Sequence, residues 1–411
     1  MNYFKNIALF TLLISMVACK SRYMPQTFNF PEPKDTHSKI IQQQEKKTYK
    51  VGDVYASNKF DGARLNDFSQ INDNTYRATI TPENEPINES SYFCFDIRSD
   101  VEKEIILELY YPDHEHRYIP KISTDGVLWS RMDTTLFDTL KGPDLASLSL
   151  TIGTQNQYVC GQELSNSTHN LEWSQSLADI YPHVRLSTIG QSTMDRPILC
   201  LDVYKDEPKD KPTIIIMSRL HPPEVSGYMA MQSYVEAILD TSILSKTFID
   251  NYRILIYPMV NPDGVDLGHW RHNGGGIDLN RDWSHYRQKE IQLVTQHIVK
   301  EVKSNNNEVL LGLDFHSTQE DVLYTMTDNR PSSIHGFKDI WVQGLKDALP
   351  GHDPFDDPYD LNSPISKWWF YLEFGGEGIT YEVGDETDRE FVRKKAKVAA
   401  IEMMKLLVLR K

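Results

Sequence analysis

The sequence of 411 residues predicts two folded units, a smaller β-sandwich followed by an α/β domain. Residues 50–165 contain short segments in which apolar and polar residues alternate between turn signals. After residue 170, apolar runs of strand length instead alternate with segments of helical period. With 40% hydrophobic residues, a chain of this length can bury two separate cores.

In the first unit, turn signals such as Asp61-Gly62 separate segments in which every second residue is apolar, for example Phe93, Phe95 and Ile97. Strands at this spacing predict two packed sheets over residues 50–165. No group of histidines, cysteines or carboxylates with catalytic spacing occurs in this part of the sequence. We therefore expect the chemistry to reside in the second unit.

The second unit, residues 170–411, alternates predicted strands and helices. The strands are Thr213–Met217, Arg253–Tyr257, Val309–Phe315 and Ile379–Val383. The helices are Glu224–Leu239, the segment of Ile291, Val294, Ile298 and Val302, and the stretch from Asp388 to the end. This alternation predicts a largely buried sheet, whose ligands would bind outside the carboxyl ends of the strands.

The N-terminus has the pattern of a bacterial lipoprotein signal. Lys5 precedes an apolar run, Ile7–Ala18, that is too short to span a bilayer and ends just before Cys19. We predict a signal peptide over residues 1–19, lipid attachment at Cys19, and a protein anchored to a membrane of the cell envelope without spanning it. An ordinary cleaved signal with a chance cysteine is the alternative. Residues 20–49 contain prolines but no apolar period, which predicts a tether.

The net charge bears on the binding partners of the protein, and the three remaining cysteines bear on its disulfides. The formal net charge of −15 argues against nucleic acid as a partner. Cys94, Cys160 and Cys200 all have apolar neighbours, so we favour buried free thiols, with a Cys94–Cys160 disulfide as the alternative.

Ligand-type residues follow two of the predicted strands. His221 and Glu224 are three residues apart, and a helix beginning at Pro222 would turn both toward one point. Such a pair on its own is usually a surface contact, but here it follows a buried strand, and Asp314-Phe-His316 ends another. Two ligands from one turn and a distant third are typical of a catalytic zinc site, with one ion per chain. Asp314, two residues before His316, either orients one of the ligands or points elsewhere from the strand.

Glu382 closes the strand Ile379–Val383, where a carboxylate is costly to bury without a partner or a task. It is either half of a buried ion pair or a general base beside a metal site. The loop of residues 261–283 supplies Arg271, Asn280 and Arg281, which suit the recognition of a carboxylate and of an oxyanion. Taken alone, this loop is better explained as a surface loop whose side chains cap its own backbone.

The motifs in this order resemble the zinc metallocarboxypeptidases of the pancreatic carboxypeptidase type over residues 170–411. They are His221-x-x-Glu224, Asn261-Pro-Asp-Gly264, Trp270-Arg271, Asp278-Leu-Asn-Arg281, Asp314-Phe-His316 and Thr380-Tyr-Glu382. Upstream, Phe60-Asp-Gly62 and Asp125-Gly-Val-Leu-Trp129 make the chain more similar to the cytosolic-carboxypeptidase subfamily, which carries a β-sandwich before the catalytic domain. The resemblance implies a mixed central sheet flanked by helices.

The resemblance also implies a role for each position. His221, Glu224 and His316 would hold zinc. Glu382 would activate water and pass its proton to the leaving amine, and Arg271 would stabilise the tetrahedral oxyanion.

Asn280 and Arg281 would bind the terminal carboxylate of a peptide, and Tyr359 would be a mobile tyrosine over the site. Thr318 stands where pancreatic-type members have a tyrosine, which affects contacts to the penultimate substrate residue. Lys367 falls in the region that forms the side-chain pocket in relatives; we favour a solvated position for it over one that points inward.

The sequence thus predicts a zinc carboxypeptidase that removes C-terminal amino acids from peptides. One alternative is a zinc amidase acting on peptidoglycan stem peptides or on acylated amino acids, although Asn280 and Arg281 favour a peptide terminus. The other is an inactive binding protein of the envelope, which the presence of all three ligands and of Glu382 disfavours.

Overall fold

The computed structural model describes residues 23–139 and 142–410. The predicted signal peptide, residues 1–19 with Cys19, lies outside the described residues. Within the described ranges, none of the helices combines the length and the apolar character needed to cross a membrane.

The first domain, which we call the sandwich, contains eleven strands in the described part of the chain. They are β1 (Thr48–Val51), β2 (Val54–Ser57), β3 (Asp67–Asn72), β4 (Thr75–Thr79), β5 (Cys94–Ser99), β6 (Lys103–Tyr110), β7 (Lys121–Ser123), β8 (Ser130–Arg131), β9 (Phe137–Asp138), β10 (Leu145–Ile152) and β11 (Gln157–Cys160). Six form a sheet in the order β1-β2-β5-β11-β7-β8, and five form a second sheet in the order β3-β4-β6-β10-β9.

The two sheets share one core. Phe95 and Ile97 from β5 and Leu107 and Leu109 from β6 are fully buried in the same cluster of apolar side chains. Burying each such side chain contributes about 1.5–3 kcal/mol relative to exposure. The alternation of apolar residues in these strands therefore predicted both the sheets and the faces that meet.

The sandwich contains a disulfide between Cys94 and Cys160. The two cysteines are directly opposite one another on the antiparallel strands β5 and β11. Our preference for free thiols was wrong for this pair, because the register between strands 66 residues apart is not visible in the sequence. Cys200 is a buried free cysteine, as expected.

The second domain, which we call the α/β domain, consists of residues 167–410. Its strands are β12 (Val184–Gln191), β13 (Pro197–Val203), β14 (Thr213–Ser218), β15 (Arg253–Tyr257), β16 (Val309–Thr318), β17 (Val322–Tyr324), β18 (Phe355–Asp356) and β19 (Glu377–Gly384). Its helices are α1 (Ser167–Ile180), α2 (Val225–Ile238), α3 (Ile243–Asn251), α4 (Pro262–Leu267), α5 (Lys289–Ser304), α6 (Phe337–Ala348), α7 (Ser366–Phe374) and α8 (Arg389–Leu409).

These eight strands form one mixed sheet in the order β12-β13-β15-β14-β16-β19-β17-β18. The four central strands, β15, β14, β16 and β19, run parallel to one another. The pairs β12–β13, β13–β15 and β17–β19 are antiparallel, and the edge strand β18 is parallel to β17. This architecture confirms the predicted mixed sheet flanked by helices.

Both faces of the sheet are covered, as β14 shows. Ile214 and Ile216 pack in a cluster with residues of α2, α3, α6 and α8, whereas Ile215 and Met217 pack on the opposite face with residues of α5 and α7. A strand buried on both sides reads as a continuous apolar run, which is why β14 was identifiable from the sequence.

The segment of residues 23–47 has neither helix nor strand, but it is packed against the α/β domain. The backbone N–H of Phe28 donates to Ser284 Oγ at 3.0 Å, and the Thr36 hydroxyl donates to Asp282 Oδ1 at 2.5 Å. This part of the chain therefore differs from the expected loose tether. Its contacts are polar and irregular, so they leave no periodic signal in the sequence.

Buried and half-buried ion pairs connect the two domains. Arg117 Nη2 lies 2.8 Å from Asp385 Oδ2, and Lys121 Nζ lies 2.7 Å from Glu386 Oε1. Both carboxylates follow directly after β19. The sandwich thus fixes the position of the chain immediately beyond the strand that carries Glu382.

Candidate metal centre and active site

The central strands bring the predicted site residues to one edge of the sheet. His221 follows β14 by three residues, and His316 and Glu382 lie near the carboxyl ends of β16 and β19. His316 and Glu382 are direct partners in the parallel pairing of these two strands. Adjacent parallel strands end at the same edge, so residues far apart in the sequence become neighbours.

The three predicted ligands meet at one point. One ligand atom each from His221, Glu224 and His316 lies within 4.8 Å of the other two. Glu224 stands between the rings: Oε1 is 2.7 Å from His221 Nδ1, and Oε2 is 2.7 Å from His316 Nδ1. Two imidazole nitrogens and a carboxylate oxygen are a donor set that suits a catalytic zinc ion.

The second nitrogen of each imidazole contacts a carboxylate. His221 Nε2 lies 3.0 Å from Asp278 Oδ1, and His316 Nε2 lies 2.8 Å from Asp314 Oδ2. A carboxylate on the far nitrogen orients the ring and leaves the near one, here Nδ1, free to bind a cation. The residues present therefore fit a metal ion, and Asp314 lies where the sequence suggested an orienting residue.

Burial acts to raise the pKa of Glu224, but the His221 and His316 rings outweigh it and hold this pKa well below its usual value. A carboxylate that stays ionised in a buried position is suited to bind a cation.

The local backbone differs from the sequence-based expectation in one respect. Helix α2 begins at Val225, so His221, Pro222 and Pro223 precede it and Glu224 is its N-cap residue. The two ligands converge through a turn ahead of the helix rather than through its first turn. Two consecutive prolines disfavour the helical conformation of the residue before each of them, which accounts for the later start.

Gly227 is a residue that the sequence analysis did not single out. A Cβ atom at this position would lie 2.2 Å from the backbone oxygen of His316. The absence of a side chain lets α2 pack directly on β16 beside the ligands. Any larger residue would separate the segment that carries Glu224 from the strand that carries His316.

Among the residues that the structure describes, none forms an ion pair with Glu382, so the first of its two predicted roles is not observed. Its Oε2 atom is buried and has no hydrogen-bond partner among the residues that the structure describes. Burial is the main cause that raises its pKa, to about 8, with the Glu224 and Asp314 carboxylates acting in the same direction and His316 opposing them. A bound divalent cation would act against this shift. The side chain is thus available to exchange a proton.

Asp278 belongs to the motif Asp278-Leu-Asn-Arg281, but the sequence analysis assigned it no role of its own, and the structure places it at the centre of several contacts. Besides its contact with His221, its Oδ2 accepts a hydrogen bond from Arg271 Nε at 2.7 Å, and its Oδ1 caps the following turn by accepting from the Asn280 N–H at 2.8 Å. One carboxylate therefore aligns a ligand, an arginine and the turn that leads to Arg281. Its position two residues before Asn280, typical of a capping aspartate, was the available signal.

Asn280 is held from two sides. Its Oδ1 accepts a hydrogen bond from the Ser366 N–H at 2.9 Å, and its Nδ2 lies 3.3 Å from His316 Nε2. These contacts fix the amide next to the metal centre.

A cavity of about 540 Å³ opens at this edge of the sheet. All eight residues that the sequence analysis placed at the site line it: His221, Glu224, Arg271, Asn280, Arg281, His316, Tyr359 and Glu382. The sandwich contributes Asn88, Ser90 and Arg117 to the wall, and Thr318 and Tyr324 also border the cavity. The volume and polar lining suit a small polar ligand or the end of a longer one.

Lys367 does not line this cavity and is not solvated. It is fully buried, donates a hydrogen bond from Nζ to the Thr325 backbone oxygen at 2.7 Å, and lies 3.3 Å from the centre of the Tyr359 ring. Burial lowers its pKa to about 7. The preferred solvated position was therefore wrong, and the lysine supports Tyr359 from behind.

Comparisons with known proteins agree with this geometry. The zinc carboxypeptidase family model matches residues 171–398. Cytosolic carboxypeptidase 2 of Danio rerio is 34% identical over 116 residues, which cover 27% of this chain and 15% of that protein. The match thus spans only a small part of this curated relative, and the first few relatives are similar in this respect.

Solved structures show that the whole fold is shared. A metallo-carboxypeptidase from Burkholderia cenocepacia aligns with a TM-score of 0.70 at 16% identity, covering 87% of this chain and 99% of that one. A metallo-carboxypeptidase from Pseudomonas aeruginosa, in complex with (2-guanidinoethylmercapto)succinic acid, aligns with a TM-score of 0.67 at 16% identity, covering 86% and 98%. Since the family model spans more than half of the 411 residues, the chain belongs to the zinc carboxypeptidase family.

Proposed function

We propose that the protein is a zinc-dependent carboxypeptidase that removes single amino acids from the C-terminus of peptides. The observation that carries the proposal is the meeting of three groups at one cavity. These groups are the cluster of His221, Glu224 and His316, the Glu382 carboxylate, whose Oε2 has no partner within the described ranges, and the guanidinium groups next to Asn280.

The arginines and the asparagine suit a substrate that ends in a carboxylate. Arg281 lies at the cavity with about a third of its side chain exposed, and Asn280 is fixed beside it. A guanidinium binds a carboxylate in a bidentate manner, and an amide N–H adds a third donor. Because both groups lie beside the metal centre, a bound terminus would place its last peptide bond there.

Arg271 suits stabilisation of the negative charge that forms on the scissile carbonyl oxygen. Asp278 holds its Nε, so the guanidinium is oriented before substrate arrives. Preorganised donors of this kind lower the barrier because they need no rearrangement during the reaction.

His221, Glu224 and His316 would hold the zinc ion, which when bound lowers the pKa of water and polarises a carbonyl group. Glu382 would accept a proton from the attacking water through its unpaired oxygen. It would then deliver this proton to the nitrogen of the departing amino acid.

The experiment that tests the function uses the chain that starts after Cys19, loaded with zinc, and pairs of peptides that differ only in a free or an amidated C-terminus. We expect release of single amino acids from the free carboxylates and at least a hundredfold slower release from the amides, on the order of what a buried charged contact contributes. Equal rates, or cleavage at internal bonds, would contradict the roles of Asn280 and Arg281.

The same assay separates the remaining alternatives. Peptides that end in D-residues or contain γ-linked glutamate test whether stem peptides are substrates, and N-acylated amino acids test for an amidase. Binding of peptides without turnover by the zinc-loaded protein would indicate the inactive binding protein.

We further propose that the protein is attached to a bacterial envelope membrane through a lipid at Cys19. The carrying observation is the apolar run Ile7–Ala18 that ends at this cysteine. Metabolic labelling with a tagged fatty acid should mark the wild-type chain and leave Cys19→Ser unlabelled. Equal labelling of both proteins would exclude this anchor.

A further inference from the structure

A buried carboxylate of the sandwich lies at the backbone of Arg271. Glu83 follows β4 by four residues, in the segment between β4 and β5, and its side chain is fully buried. Its two oxygens accept three hydrogen bonds from three consecutive backbone N–H groups of the other domain. The donors are Trp270 N at 2.8 Å, Arg271 N at 3.0 Å and His272 N at 2.7 Å.

The three backbone donors make the burial of Glu83 tolerable and at the same time fix the backbone at Arg271. Burying an ionised carboxylate carries a large desolvation cost, which the hydrogen bonds donated by the three N–H groups offset. Burial acts to raise the pKa of Glu83, but the charge that His269, His272 and Arg64 can supply and the hydrogen bond from His272 N lower it to about 2. The group is therefore ionised in the folded protein at neutral pH.

Arg271 is thus held at both ends. Glu83 accepts from its backbone N–H, and Asp278 accepts from its Nε at 2.7 Å. Asp278 also contacts the ligand His221, so the guanidinium is fixed relative to the metal centre. A shift of the backbone by about 1 Å would misalign the guanidinium, and displacements of this size can lower rates by about a hundredfold.

We propose that Glu83 is a positioning residue for the reaction: through the backbone of residues 270–272, the sandwich sets where the Arg271 guanidinium meets the transition state. The proposal rests on the function proposed above for Arg271. Glu83 does not line the cavity and is not one of the three candidate ligands. The sandwich therefore contributes to the chemistry of the α/β domain without supplying a reacting group.

The test is a double-mutant cycle in the zinc-loaded protein with Glu83→Gln, Arg271→Ala and the combination. Glutamine keeps the shape but places an amide NH₂ against one of the N–H donors and removes the charge. We expect Glu83→Gln to lower kcat by about tenfold to a hundredfold with KM changed by less than about twofold, because Arg271 acts in the transition state. In the Arg271→Ala background, the same change should lower kcat by less than about twofold.

A matched control is Glu163→Gln. Glu163 also lies near the domain boundary; it is half-buried, and its oxygens lie 2.8 and 3.0 Å from Arg389. Its loss should lower the unfolding midpoint and leave kcat within about twofold, as expected for an ion pair with a purely structural role.

Affinity measurements provide a second readout. A peptide analogue with a tetrahedral phosphonate at the scissile position should bind Glu83→Gln more weakly by the same factor as the loss in kcat/KM. The product amino acid should bind both proteins about equally. These ratios are measured on folded protein, so a lower yield does not affect them.

The outcomes distinguish the two proposals. If Arg271→Ala leaves kcat unchanged, the proposed role of Arg271 is wrong. If Arg271→Ala lowers kcat but Glu83→Gln has no effect, or costs the same in both backgrounds, only the positioning role of Glu83 is overturned. Should Glu83→Gln not fold, the charge-conserving Glu83→Asp takes its place, with a smaller loss expected. Failure of both to give folded, zinc-loaded protein would also overturn the proposal, since Glu83 would then serve folding alone.

Discussion

The two domains differ in where their buried charged side chains lie and in what these side chains contact. In the α/β domain, His221, Glu224 and His316 gather at one edge of the sheet and face a cavity. In the sandwich, the buried charges of Glu83 and Lys121 are directed at segments of the other domain. The comparison indicates that one domain carries the reacting groups and the other fixes the segments that present them.

The pattern of hydrogen bonds sharpens this contrast. Glu83 has its oxygens satisfied by backbone donors, as a structural carboxylate should. Glu382 keeps an oxygen without a partner in the described part of the chain, although burying such an atom is unfavourable. For these two carboxylates, the difference in hydrogen bonding agrees with a reacting role for Glu382 and a supporting role for Glu83.

The largest effect on activity is expected from removal of the metal, which should affect the α/β domain directly. Dialysis against a chelator should abolish peptide hydrolysis, and zinc should restore it, because the proposed reaction needs the ion that His221, Glu224 and His316 of the α/β domain would hold. The unfolding midpoint should also fall, since a ligand at a thousandfold excess over its Kd stabilises the native state by about 4 kcal/mol. Metal analysis together with scanning calorimetry measures both effects. Full activity in protein shown to be free of metal would refute the assignment of the site.

The next largest effect is expected for Glu382→Gln. The amide has the same shape but cannot accept the proton, so kcat should fall by about 10²–10⁴-fold while the zinc content stays at the wild-type level. A matched control is Glu377→Gln at the start of the same strand, where the carboxylate accepts a hydrogen bond from Ser332. Its kcat should stay within about twofold. Zinc-loaded Glu382→Gln with wild-type turnover would remove the proposed base.

The sequence was sufficient for those parts of the fold and site that leave a local signal. The fully buried β14 appears as an apolar run, and the strand ends placed His221, His316 and Glu382 at one edge of a parallel sheet. The distance along the chain between residues 221 and 316 did not prevent this prediction, because strand direction alone decides at which edge of the sheet a strand ends.

Features that depend on register or on contacts between distant loops were not predictable. Asp278 is one example, since its role follows from the placement of its loop over His221. The disulfide is another, because the pairing of β5 with β11 is a matter of tertiary structure. Lys367 is a third example. Its burial behind Tyr359 depends on how α7 packs, whereas lysine as a residue type is usually exposed.

A smaller effect is expected for Asp278→Asn. The amide keeps one acceptor but loses the charge that orients His221 and Arg271, so zinc should bind about 10–100-fold more weakly. Competition with a chelating dye measures the affinity. The control is Asp282→Asn, four residues further on, whose carboxylate contacts Thr36 and the Gln288 N–H rather than a ligand. Equal zinc affinity in wild type and Asp278→Asn would show that the contact to His221 is incidental.

The smallest effect on activity is expected from the disulfide, although its effect on stability is not small. Replacing Cys94→Ser and Cys160→Ser together releases a crosslink between residues 66 positions apart, which should lower the free energy of unfolding by about 2–4 kcal/mol. Urea denaturation measures this loss. At a temperature where the variant is folded, kcat should remain within about twofold, because both cysteines lie in the core of the sandwich and outside the cavity.

This last variant also tests how the sandwich acts on the site. If the domain acts only through Glu83 and the ion pairs at the boundary, a weakened core lowers the population of folded protein and leaves each folded molecule fully active. A fall in kcat of more than about tenfold in protein shown to be folded would mean that the position of Arg271 depends on the rigidity of the sandwich core. The division between a reacting and a supporting domain would then have to be replaced by a single unit.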